Sequence, residues 1–206
     1  MAKLLLVRHG ETDRNSAERY WGRTDVGLGP LGLRQAEQLR DRLAVEKIDF
    51  IYSSTLRRAV LTAQTLASLH NLPVVGCPEL REIDFGSIEG LNFSEVEAQF
   101  PQVAQMWVNN YTELVYPEGE GLSQLEIRIA GFKKRLDNFS PEQTVLIVAH
   151  SGVLRSLICQ LLKLDLASRW KIRIDLASLS IVDTYDQTAI LSLLNDTSHL
   201  LDRCKK

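Results

Sequence analysis

Apolar residues follow two rhythms along this chain: short unbroken runs, and stripes that recur every three or four positions. Leu4-Leu5-Leu6-Val7 and Val145-Leu146-Ile147-Val148-Ala149 are unbroken, and such runs predict strands buried on both faces. Phe50-Ile51-Tyr52 and Pro73-Val74-Val75 are shorter candidates. Between these runs, Leu31, Ala36, Leu39 and Leu43 form a helical stripe from Pro30 to about Lys47, entered through Gly29-Pro30. Leu56, Ala59, Ala63 and Leu66 form a second stripe, with Ser54 or Thr55 as its cap, and Leu125, Ile129, Phe132 and Leu136 a third. A further helix is predicted from Val153 to about Lys163. Two late strands, near 178–182 and 189–194, lie close enough together to make a hairpin at a sheet edge.

Strands that alternate with helices call for an α/β fold with three layers, α/β/α: a mostly parallel central sheet with helices on both faces. The pattern gives one domain over 1–195. An irregular, cap-like excursion near 84–121 holds two short helices, near 94–100 and 101–110. A polar tail over 196–206 reads as flexible.

Composition narrows the partners. With 24 basic and 26 acidic residues the net charge is −2, which offers no general attraction to nucleic acid or to an acidic membrane surface. No apolar run approaches the roughly 20 residues needed to span a bilayer, and the chain runs straight into its first strand without a secretory pattern. Cys77, Cys159 and Cys204 are scattered and read as reduced thiols. A cytoplasmic protein is the expectation. The late edge strands leave a homodimer open.

The candidate chemistry lies at the ends of the apolar runs. The first run ends in Arg8-His9-Gly10, which alone reads either as a strand reaching solvent or as an anion site at a strand's carboxyl end. The second leads through Ser53-Ser54 to Arg57-Arg58, and the late one ends in His150-Ser151-Gly152. In a parallel sheet these ends share one edge, where cations and imidazoles repel one another unless an anion sits among them. Guanidinium forks suit phosphate oxygens, and the helix after His150 aims backbone N–H groups at the same place. His9, Glu11, Asp13 and His150 are metal-ligand types, but neighbouring arginines oppose a divalent cation, so no metal and no cofactor are expected. His70 at a helix end, His199 in the tail, Arg57 and the Trp107/Tyr111 pair read as structural.

Arg8-His9-Gly10-Glu11-Thr12 with Asn15 resembles the signature of the histidine phosphatase superfamily, whose fold is phosphoglycerate-mutase-like. Four further pieces resemble its motifs in order: Gly22-Arg23-Thr24-Asp25, Ser53 to Ala59 with Thr62-Ala63, Leu80 to Gly86, and Ala149 to Val153. The resemblance implies that His9 is the nucleophile and forms a phosphohistidine. It implies that Arg8, Arg58 and His150 hold the phosphoryl oxygens, and that Glu82 protonates the leaving oxygen and then activates water. Asn15, Trp21, Gly22, Ser151 and Gly152 become candidate substrate contacts. The chain departs from the family at Ile88, where a tryptophan is common, and at Gly29, where a hydroxyl residue usually caps the first helix.

The implied activity is that of a metal-independent phosphomonoesterase acting on a small phosphorylated metabolite. Residues 90–121 contain five glutamates and several aromatic residues but no lysine or arginine, which favours a leaving group of low negative charge. Glu118 to Gly121 and Trp170 to Asp175 resemble the branch acting on α-ribazole 5′-phosphate in cobalamin biosynthesis. Phosphoserine or broad-specificity phosphatases, phosphoglycerate mutases and a non-catalytic phosphoester-binding module are the alternatives.

Overall fold

The structure is a computed structural model that describes residues 2–14, 19–109 and 112–200. Asn15, Tyr111 and Cys204 lie outside the described residues. In chain order the principal elements are β1 (Lys3–Arg8), α1 (Pro30–Leu43), β2 (Phe50–Ser54), α2 (Arg57–Ala67) and β3 (Val74–Cys77). They continue with α3 (Phe93–Gln99), α4 (Pro101–Val108), α5 (Leu122–Leu136), β4 (Thr144–Ala149), α6 (Ser151–Leu161), β5 (Leu179–Thr184) and β6 (Ala189–Asp196).

The sheet order is β3-β2-β4-β1-β5-β6. The first four are mutually parallel, while β5 runs antiparallel to β1 and pairs with β6 as the expected edge hairpin. Successive residues of β1 supply opposite cores. Leu4 and Leu6 pack with α5, α6 and the excursion, whereas Leu5 and Val7 pack with α1 and α2. β4 divides its residues the same way, Val145 and Ile147 against Leu146 and Val148. This two-sided burial is why both strands are apolar without interruption. The three-layer arrangement is the one the pattern predicts.

Several boundaries differ from the pattern. α1 stops at Leu43, the last member of its stripe, because Val45 beyond it is exposed. α2 has no cap from Ser54 or Thr55. Leu56 occupies that position, and Asp25 from a distant loop accepts a 2.7 Å hydrogen bond from the Arg57 N–H instead. α6 begins at Ser151, two residues earlier than predicted, with His150 as its extended N-cap. The tail expected from Asp196 meets order at its start. Asp196 closes β6, and Ser198–Leu200 forms a single 3₁₀ turn in which His199 Nε2 bonds the Ala177 carbonyl at 2.9 Å.

The excursion folds back on itself. Its ends are joined where the Glu120 N–H donates to the Asp84 carbonyl at 2.9 Å. It is strapped to residues 19–24 by Tyr20 N–H to Leu91 O, Gly90 N–H to Tyr20 O, and the Arg19–Glu95 ion pair at 2.7 Å.

Candidate active site

Parallel strands β1, β2 and β4 end on one edge of the sheet, and His9, Ser54 and His150 follow or close them there. The His9 backbone bridges two neighbours, its N–H donating to Ala149 O and its carbonyl accepting from Ala177 N–H, both at 3.1 Å. His9 therefore sits on backbone fixed from both sides, and its ring centroid lies 5.0 Å from that of His150.

Hydrogen bonds define the proton on each ring. His9 Nδ1 lies 2.7 Å from the Gly10 carbonyl, which can only accept, so Nδ1 carries the hydrogen and Nε2 presents its lone pair. His150 Nδ1 lies 3.3 Å from Arg58 Nε, which can only donate, so here Nε2 carries the hydrogen and donates to Ser54 Oγ at 2.8 Å. Burial, followed by the charges of Arg58 and Arg8, holds the His9 imidazole well below its usual titration range. Burial and Arg58 do the same to His150. Both rings are neutral near pH 7, the state in which an imidazole is nucleophilic.

The arginines are less alike than their motifs suggest. Arg8 donates through Nη1 to Ile174 O at 2.7 Å and has a buried Nε without a partner, and burial lowers it to about 10. Arg58 is almost wholly buried and largely engaged. Nη1 bonds Thr24 O, Nη2 bonds Trp21 O and Gly22 O, and Nε bonds His150. Of its five N–H groups these four bonds leave one. Arg58 thus anchors the 21–24 loop as well as standing beside His9.

Glu82 is buried, with Oε1 accepting from the N–H of its neighbour Ile83 and Oε2 from Gly152 N–H, each at 3.0 Å. This corrects one expectation: the Gly152 N–H at the start of α6, which could have met an incoming anion, is already bonded to Glu82. Gly152 is a seat for that carboxylate because an added Cβ would lie 2.5 Å from Oε1. Gly22 is engaged with protein in the same way. It donates to Glu89 and accepts from Arg58, and an added Cβ would meet the Ile83 carbonyl at 2.1 Å, so it packs against protein and does not line the neighbouring cavity. Its influence runs through Arg58. Asn15, outside the described residues, has no assigned place.

A cavity of about 430 Å³ borders this cluster through Arg8, Glu82, Ser151 and Gly152. Trp21 lines it too. One wall is aromatic: Tyr20 and Trp107 have ring centroids 4.6 Å apart, and Trp107 Nε1 donates to the Tyr116 hydroxyl at 2.7 Å. Trp107 therefore lines the cavity as well as packing against neighbouring rings. The cavity also carries Arg155 and Arg169, which the sequence pattern did not single out. Arg155 could have been found, being one helical turn beyond Ser151. Arg169 sits in a 3₁₀ segment without periodicity and gave no such signal. Among the described residues no group of three or more His, Cys, Asp and Glu side chains is placed to hold a metal ion, and no helix is long and apolar enough to cross a membrane.

Relatives share this architecture. Phosphoserine phosphatase 1 of Hydrogenobacter thermophilus is 36% identical over 200 residues, covering 97% of this chain and 95% of its own. The adenosylcobalamin/alpha-ribazole phosphatase of Salmonella typhimurium is 35% identical over 193 residues, covering 94% and 96%. The crystal structure of the alpha-ribazole phosphatase from Shigella flexneri superposes with a TM-score of 0.86 at 33% identity, over 94% of this chain and 96% of that one. The model of branch 1 of the histidine phosphatase superfamily matches residues 4–197, and to that family this chain belongs.

Proposed function

We propose that this protein is a metal-independent phosphomonoesterase that works through a phosphohistidine at His9. The observation that carries the reading is the Nδ1–H···O=C bond from His9 to Gly10, which leaves a neutral Nε2 lone pair beside Arg8 and Arg58. Nε2 attacks phosphorus, the bond from phosphorus to the ester oxygen breaks, and Glu82 delivers its proton to the departing alkoxide. Water then attacks the phosphohistidine and gives its proton to Glu82, and the N–P bond breaks to release phosphate. The guanidinium groups of Arg8 and Arg58 supply the positive charge that the migrating phosphoryl group needs. A phosphate dianion beside His150 also favours protonation of Nδ1, which would turn that atom from acceptor into donor.

The alcohol is the finer question. The expectation of α-ribazole 5′-phosphate rests on the resemblance carried by Glu118 to Gly121 and Trp170 to Asp175 and on a cation-free segment over 90–121. The Tyr20 and Trp107 rings support a flat, apolar leaving group of that kind. Against it, Arg155 and Arg169 reach the same cavity from other elements, which supports an alcohol with its own negative charge, as in phosphoserine. A non-catalytic binding module is disfavoured by the complete set of nucleophile, acid and cations.

Phosphate release from p-nitrophenyl phosphate tests the chemistry. Turnover is expected in the presence of a chelator and should fall by at least about 10³-fold in His9→Ala. Activity that survives the substitution, or that chelation removes, overturns the reading.

A further inference from the structure

We propose that Arg155 and Arg169 form a second anion subsite, which receives a carboxylate carried by the leaving alcohol. The proposal rests on the phosphatase reading and names its substrate class: phosphate esters of small hydroxy acids.

Charge around the cavity is out of balance. Arg8, Arg19, Arg155 and Arg169 line it, with Glu82 as the acidic side chain among them. Arg19 is neutralised by Glu95, and Arg8 stands beside the nucleophile. Arg155 makes no hydrogen bond or ion pair among the described residues, and its Nε is buried without a partner. Arg169 is only 4% exposed, yet its side chain makes one hydrogen bond, from Nη2 to the Gly152 carbonyl at 3.2 Å, and its Nε is also unpartnered. Among the described residues Glu82 forms no ion pair with either; its hydrogen bonds come from the Ile83 and Gly152 N–H groups.

Two guanidinium groups that each keep a buried Nε–H without a partner are costly unless an acceptor meets their donors. Burial weakens Arg155's hold on its proton; the Glu82 charge opposes that shift, and the Arg169 charge adds to it. The transferred phosphoryl group is matched by Arg8 and Arg58, which leaves these two for another anion. A carboxylate suits them, since its two oxygens match the guanidinium fork. Packing alone accounts for part of Arg169, whose guanidinium lies 5.2 Å from the Trp170 ring centroid, but not for Arg155.

Two matched ester pairs test the subsite: phosphoserine against phosphoethanolamine, and 3-phosphoglycerate against glycerol 3-phosphate. Within each pair the second ester lacks the carboxylate. The wild-type protein should show a kcat/KM at least about tenfold higher for the carboxylate-bearing member of both pairs. In Arg155→Met, with folding checked by thermal melting, that ratio should collapse toward unity, mostly through KM. Equal release from both members by the wild-type protein overturns the subsite and leaves the phosphatase reading standing, and it does so even if the variant fails to fold. A ratio unchanged in a folded Arg155→Met also overturns it. No release from any of the four esters or from p-nitrophenyl phosphate overturns both readings.

Discussion

At Gly152 a missing side chain and a backbone hydrogen serve the same carboxylate: the N–H bonds Glu82 Oε2, and the empty Cβ position lies 2.5 Å from Oε1. Gly152→Ala should therefore displace the acid without disturbing the core. The expected result is a loss in kcat on the order of 10²-fold, with a melting temperature within about 3 °C of wild type. Wild-type kcat in this variant would show that Glu82 is not positioned this way. The two site histidines set a pH dependence. Both have depressed folded-state values against an ordinary 6.5, so the unfolded chain takes up their protons first. Stability is full above about pH 6.5 and should fall as pH drops below it, by up to about 1.4 kcal/mol per unit for each histidine, until the folded-state rings titrate. Urea midpoints measured from pH 7.5 to 5 check this, and a flat profile contradicts it. At this scale the sequence was legible where chemistry sits at a strand end or in a family motif, as with Arg8, His9, Glu82 and His150. Ser54 reads from sequence as a strand end and a helix cap, but not as the acceptor of the His150 hydrogen, because the two lie 96 positions apart.

Among the elements, the loop over residues 21–24 is held by an acidic side chain from the excursion. Glu89 accepts from the N–H groups of Gly22, Arg23 and Thr24 and from the Thr24 hydroxyl, at 2.7 to 3.2 Å. The carbonyls of that same loop hold Arg58. Glu89→Ala would strip the loop of its acceptor and loosen a cation of the active site. A loss of about 3 kcal/mol, or roughly 10 °C in melting temperature, is expected together with at least a tenfold fall in kcat. A melting shift under about 2 °C would mean that water replaces the carboxylate. None of this was readable beforehand. Periodicity reports which face of a helix is buried, but a carboxylate that gathers backbone N–H groups leaves no periodic trace. The same holds for Asp25 at the start of α2.

For the molecule as a whole, the alternation of strands and helices was enough to give the layers and the shared sheet edge, because two-sided burial writes itself into continuous apolar runs. Strand order was not, since every buried strand is apolar for the same reason and none names its neighbour. That order places β1 between β4 and β5, with Lys3 opposite both Thr144 and Asp183. A growing polypeptide therefore makes this apolar strand, and the histidine attached to it, long before either flanking strand exists. The backbone bonds that seat His9 come from residues 149 and 177. Until those are synthesised, Leu4 to Val7 is an unpaired hydrophobic segment in need of shelter. Catalytic competence therefore waits on residues far along the chain, when the centre of the sheet closes around a strand made well before them.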